Sequence, residues 1–236
     1  MITLEAGELS VDVDPTRGLD LAAGRFAGER FSFGSPYGLL FTCGLGNVGV
    51  ESEGQPKHGR YRTLAAQDVE SMPRVAGGRV ADGALELTRE VTVSDVAVRV
   101  SDVVRNTGDA EEAAPLLYHV NLLWDTVSSD ADEVVPRDDD ARAFEWFELG
   151  PPGPERVYEH VGASHAAARF GALSILVRSS LPRLWQWINP SLGVLGLEPA
   201  NCSVLGRAHD RAAGTLPFIG PGEERSSMVE IAVARA

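Results

Sequence analysis

Ala84-Leu85-Glu86-Leu87-Thr88-Arg89-Glu90-Val91-Thr92-Val93 and Val96-Ala97-Val98-Arg99-Val100-Ser101-Asp102-Val103-Val104 flank the pair Ser94-Asp95. Apolar and polar residues alternate on both sides of that pair. In a strand, successive side chains point to opposite faces, so a period of two gathers the apolar set on one side. The stretch reads as an antiparallel hairpin with one buried and one solvated face. Arg105-Asn106-Thr107-Gly108-Asp109 follows it with turn chemistry.

Working outward, short apolar runs recur between 25 glycines and 14 prolines. Strands are expected over 9–13, 17–21, 115–124, 172–178, 184–188, 192–197 and 227–233. Helical patterning is brief: one or two turns over 138–149, and another over 165–169. Loops are expected at 44–61, at the acidic stretch 128–140 and at Gly-Pro-Pro-Gly-Pro-Glu, 150–155, which no regular element can accommodate. Many strands with tight turns and few helices indicate an all-β sandwich or barrel. No stretch has the length or composition of an interdomain linker, so residues 1–236 are read as one domain.

The formal net charge is −13, from 34 acidic and 21 basic residues, and Lys57 is the only lysine. Phosphate neutralisation needs clustered cations, so this balance argues against nucleic acid and against an anionic membrane surface. Met1-Ile2-Thr3-Leu4-Glu5 shows neither the basic nor the apolar region of a secretory leader, and no run approaches the ~18 apolar residues of a membrane span. The expectation is a cytoplasmic, acidic globular protein. Cys43 and Cys202 have no CxxC spacing and read as buried thiols.

Two histidines and a glutamate carry the candidate chemistry. His58 lies in the loop segment Pro56-Lys57-His58-Gly59-Arg60, where Gly59 permits close approach and Arg60 offers a fixed fork of donors. His119 lies in an apolar strand, and alternation puts Leu117, His119 and Asn121 on one face with Tyr118, Val120 and Leu122 on the other. Polar groups on such a face need partners or a polar cavity. Glu198 ends the run Gly193-Val194-Leu195-Gly196-Leu197, and Pro199 is expected to stop the ladder there. Partial burial would adapt its carboxylate to proton transfer. Trp185-Gln186-Trp187 places two indoles on one strand face, as a stacking platform for a sugar or as core, and Trp124 and Trp146 are further candidates. Each residue has a plain alternative as a solvated loop group, a hydrogen-bonded core histidine or a strand-end carboxylate.

Arg17-Gly18-Leu19-Asp20, Phe33-Gly34-Ser35-Pro36-Tyr37-Gly38, Thr42-Cys43-Gly44-Leu45, His58-Gly59-Arg60, Tyr118-His119-Val120-Asn121, Glu198-Pro199-Ala200-Asn201 and Pro221-Gly222-Glu223 run in order along nearly the whole chain. In these segments the chain resembles the aldose 1-epimerase-like proteins of the galactose mutarotase superfamily. The resemblance implies a galactose-mutarotase-like β-supersandwich of mostly antiparallel strands whose concave face binds a monosaccharide. It implies His119 as the acid that protonates the ring oxygen, Glu198 as the base at the anomeric hydroxyl and His58 as a sugar contact. The family's Asn-Arg pair upstream of the first histidine is missing. Gly46-Asn47-Val48-Gly49 stands there, so Asn47 and Arg60 are the substitutes, with Asn121, Trp185 and Trp187 as further substrate-binding candidates. The expected activity is an isomerase of the epimerase or mutarotase type, acting on a small carbohydrate without cofactor or metal. A metal-assisted isomerase or lyase and a non-catalytic carbohydrate-binding module are the alternatives, and homodimerisation stays open.

Overall fold

A computed structural model describes residues 1–236. Two antiparallel sheets face one another. The larger has ten strands, in the order Ile2–Ala6, Leu9–Asp14, Asp20–Phe26, Leu40–Gly44, Leu116–Leu122, Val194–Ala200, Arg183–Asn189, Arg156–Val161 and Glu133–Pro136, with Glu29–Arg30 paired to Asp20–Phe26. The smaller has eight: Thr126–Ser129, His165–Phe170, Leu173–Ser179, Glu224–Arg235, Ala97–Asn106, Leu85–Val93, Val75–Asp82 and Gln67–Met72. Glu112–Ala113 and Phe218–Ile219 form a separate two-stranded ribbon.

The hairpin forms as expected, but its turn is longer than the pair Ser94-Asp95: the register runs from Leu85 opposite Asn106 to Val93 opposite Val98, leaving 94–97 between the last paired residues. Leu85, Leu87, Val91 and Val93 face inward with Val98, Val100 and Val104, into a core of 44 buried side chains between the sheets. Such burial is the main force holding the two layers together. The inward face also carries a cross-strand pair that alternation did not flag as polar core: Arg89 opposite Asp102, both about 1% exposed.

Arg89 reaches across the core. It donates to Asp102 at 2.9 and 2.7 Å, to Asp20 at 2.9 Å and to the Thr42 hydroxyl at 2.8 Å. Asp20 also accepts from the Thr42 hydroxyl at 2.8 Å, and the Tyr118 hydroxyl donates to Asp102 at 2.9 Å. Burial pushes the Asp20 carboxyl up to about 6, against the opposing pull of Arg89 and Thr42. Asp20, Thr42 and Tyr118 belong to the larger sheet, Arg89 and Asp102 to the smaller, so the network rivets one to the other.

Several elements differ from expectation. Segment 17–21 is not a strand: Pro15–Arg17 makes a 3-10 turn, capped by the Asp14 carboxylate accepting from Thr16 N–H at 3.0 Å, and extended structure starts at Asp20. Residues 165–169 belong to the strand His165–Phe170, paired on both sides, with Ala166 and Ala168 buried. Tertiary pairing there overrides alanine's helix preference. Pro199 does not end its strand, which runs to Ala200 in register with Arg183–Asn189. The expected helix over 138–149 shrinks to Asp139–Arg142, whereas Arg207–Ala213 forms a helix that no periodicity announced. No helix is long and apolar enough to cross a membrane.

Candidate functional site

The four central strands of the larger sheet are buried on both faces. On the side away from the main core, Phe41, Cys43, Leu117, Trp185, Trp187, Val194 and Ala200 join a second apolar cluster. Strand alternation accounts for this directly: Tyr118, Val120 and Leu122 face the first cluster, while Leu117, His119 and Asn121 turn the other way.

Register then sets the site. Phe41 lies opposite His119, and Glu198 lies opposite Trp185. Between their strands, Leu117 pairs with Ala200 and Val120 with Leu197. Carrying that register through the intervening positions puts His119 directly opposite Glu198. Phe41, His119, Glu198 and Trp185 therefore form one transverse row across four strands. Pro199, which lacks an N–H, falls in the stretch where those two strands make no ladder pairs.

Within the row, His119 Nε2 sits 3.0 Å from Glu198 Oε1, and the two residues are 4% and 3% exposed. Phe41 stacks on the His119 imidazole with ring centroids 4.3 Å apart, and Trp187 meets it edge-on at 5.3 Å. Gly196 is required beneath the pair: a Cβ there would lie 2.8 Å from His119 Cε1 and 2.9 Å from Glu198 Oε1. Burial alone would raise the Glu198 carboxyl. The adjacent His119, with His58 and Lys57 beyond it, outweighs burial and holds it below the ordinary glutamate value.

His58 arrives from outside the sheet, on a strap over 45–60. Its ring centroid is 6.1 Å from that of His119. Burial, and then the neighbouring His119, lowers its pKa to about 4, so His58 is neutral at neutral pH. The strap is tied down where Gly59 pairs with Gly44, and a Cβ on Gly59 would lie 2.4 Å from the Gly44 carbonyl oxygen. The Nδ1 atoms of His58 and His119 and the Oδ1 of Asn121 are buried without a hydrogen-bond partner. His58, His119 and Glu198 border an open hollow of about 400 Å3, within the range of small-molecule pockets.

His58, His119, Glu198 and Trp187 are brought to this hollow; the other expected contacts are not. Arg60 points away, donating to Asp82 at 3.2 and 2.9 Å. Asn47 is consumed in holding the strap: its Nδ2 donates to the Val50 and Pro56 carbonyls at 2.7 and 3.0 Å, and its Oδ1 accepts from Arg207 N–H. Trp185, at the end of the row, donates to the Cys202 carbonyl at 3.2 Å and does not line the hollow. Asn121 lies one row further on, its Nδ2 donating to the His119 carbonyl at 3.0 Å. Trp124 belongs to the inter-sheet core, and Trp146 is partly buried against it. The hollow instead enlists Tyr37, Phe41, Lys57, Arg62 and Arg137. Lys57 adjoins His58 in sequence and Tyr37 lies in a segment of resemblance, whereas Phe41, Arg62 and Arg137 emerge only from the folded structure. No three His, Cys, Asp or Glu side chains are grouped to hold a metal ion.

Residues 37–233 match a family model described as a domain of unknown function, DUF4432. The chain belongs to the DUF4432 family. No curated protein matches its sequence. Among solved structures, the Slr1438 protein from Synechocystis sp. PCC 6803 superposes with a TM-score of 0.80 at 16% identity, covering 100% of this chain and 96% of that one. A galactose mutarotase-like protein from Lactobacillus casei ATCC 334 gives 0.78 at 13% identity, with 99% and 100% covered. A GalM/aldose epimerase homologue from C. elegans gives 0.73 at 13%, with 100% and 98% covered. This DUF4432 protein thus has the galactose-mutarotase-like sandwich fold. Its dyad supplies an ionised carboxylate to accept a proton and an imidazole that can donate one, side by side at the base of an aromatic-walled hollow.

Proposed function

We propose that this protein is a sugar epimerase of the mutarotase type, interconverting the anomers of a monosaccharide bound in the hollow. The observation that carries the reading is the buried His119–Glu198 pair, 3.0 Å apart beside His58. In a cyclic aldose the ring oxygen and the anomeric hydroxyl share one carbon, so the two groups that act on them must be neighbours. Glu198 takes the proton of the anomeric hydroxyl while His119, as imidazolium, gives one to the ring oxygen. The bond from that oxygen to the anomeric carbon breaks and an open aldehyde forms. After rotation about the adjacent carbon–carbon bond, the same transfers run backwards and close the ring on the other face, restoring both groups. Neutral His58 orients the guest, and Trp187 and Tyr37 offer apolar ring faces.

Glu198→Gln tests the reading. It preserves the size of the side chain and removes the base. Anomer interconversion, followed by polarimetry or proton NMR across a panel of aldoses, is expected to fall by roughly 10²–10⁴-fold while the circular dichroism spectrum is unchanged. A rate equal to that of the wild type would overturn it.

A further inference from the structure

The charge on the hollow's wall narrows the guest. This chain carries a net charge of −13, yet three cations, Lys57, Arg62 and Arg137, line the hollow against two carboxylates, Glu155 and Glu198. Glu198 is engaged by His119, and Arg137 by Asp138 at 2.8 and 2.6 Å. Lys57 and Arg62 are uncommitted. Of the chain's 21 lysines and arginines, only these two, Arg105 and Arg169 lack both a hydrogen bond and a carboxylate within 4.0 Å. In a protein that pairs its cations so thoroughly, two free ones meet at one concavity, and one of them is the only lysine.

Arg62 is also held in place. Its guanidinium lies 4.8 Å from the centre of the Phe41 ring, the ring that stacks on His119. A cation over an aromatic face keeps its charge while the ring restricts its motion. Hydroxyl groups of a neutral sugar gain little from a full positive charge, whereas a carboxylate or phosphate gains a charge-assisted hydrogen bond. The net charge of the whole molecule repels anions, so an anionic guest needs local cations to be held.

We propose that the guest is an acidic monosaccharide, whose carboxylate or phosphate is held by Lys57 and Arg62 while its anomeric centre lies at His119 and Glu198. This inference rests on the sugar-binding reading above and specifies its substrate class.

The test uses the whole protein and calorimetric titration. D-glucose, D-galactose and D-mannose are each compared with their uronates and 6-phosphates, with inorganic phosphate as a separate probe. At least one acidic sugar is expected to bind tenfold or more tightly than its neutral parent, with the advantage shrinking as salt is raised. Preference for the uronate or the phosphate identifies which anion is recognised, and inorganic phosphate should bind more weakly than the preferred acidic sugar. Lys57→Gln and Arg62→Gln should each weaken that acidic sugar at least fivefold, whereas Arg169→Gln, on the distant sheet, should not. The proposal fails if no acidic sugar binds more tightly than its parent, if none binds at all, or if neither substitution reduces the preference. Acidic sugars that bind with this pattern without interconverting would uphold this inference and sink the epimerase assignment. Turnover of neutral sugars with no acidic preference would do the reverse.

Discussion

Tyr118 and His119 are consecutive residues on one strand, and each leads to a buried charged cluster, but the clusters lie on opposite faces of the larger sheet. Inward from Tyr118, Arg89, Asp20 and Asp102 are bound to one another and to Thr42. Outward from His119, the Glu198 pair stands beside two imidazole nitrogens without partners. A buried polar group left unmatched costs free energy comparable to a lost hydrogen bond. The inner cluster has its partners within the fold. The outer one keeps two imidazole nitrogens with no partner in the fold, beside an open hollow. The contrast separates a rivet from a site, although residue types alone would rank the two alike.

The sharpest way to break this contrast is to exchange the losses. Arg89→Met strands two carboxylates in the core, so unfolding in urea should show a loss of about 3–5 kcal/mol. Glu198→Gln keeps a hydrogen-bonding partner for His119 and should cost less than ~2 kcal/mol while lowering turnover by roughly 10²–10⁴-fold. A loss under about 1 kcal/mol for Arg89→Met would show that apolar burial alone holds the sheets.

A smaller effect sharpens it through pH. His58, with its pKa lowered to about 4, stays neutral when folded but takes a proton near 6.5 when unfolded. The unfolded state binds more protons between those values, so stability falls as pH drops from about 6.5 towards 4. Glu198, held below its ordinary value, adds a loss at still lower pH. Asp20, raised to about 6, acts in the opposite sense, destabilising as pH rises towards that value. The difference between wild type and His58→Gln isolates the histidine: between pH 7 and pH 5 the wild type should lose about 1–2 kcal/mol more than the variant. Equal losses would place His58 in solvent. The smallest effect belongs to Arg60, whose ion pair with Asp82 is half-exposed. Arg60→Ala should change stability by about 0.5 kcal/mol or less and leave anomer interconversion within about twofold.

Much of the architecture is legible in period-two alternation, because a half-buried strand records its environment residue by residue. The 84–104 hairpin and the two faces of Leu116–Leu122 are read this way. Arg89 is not, because an inward charge interrupts the pattern and its partners Asp20 and Thr42 come from the other sheet. Segment 165–169 misleads because alanine favours helix where the neighbouring strands demand extension. At the candidate site, His58, His119 and Glu198 were selected from local context and from the family resemblance. That Glu198 faces His119 rests on a register between strands almost 80 residues apart, which no local signal encodes. Arg60 and Asn47 were misplaced for a related reason: a loop's side chains have no fixed periodicity, so their direction follows from what the loop is tied to.

The tether at Gly44 and Gly59 has a consequence for how such a scaffold can diversify. His119 and Glu198 reside on paired strands of the larger sheet, whereas His58, Lys57 and Arg62 belong to a fastened ribbon and the turn after it. Rewriting that ribbon would retune which molecules are admitted and leave those strands unaltered. Under the proposed function, selection of cargo and the chemistry performed on it are housed in separately replaceable parts.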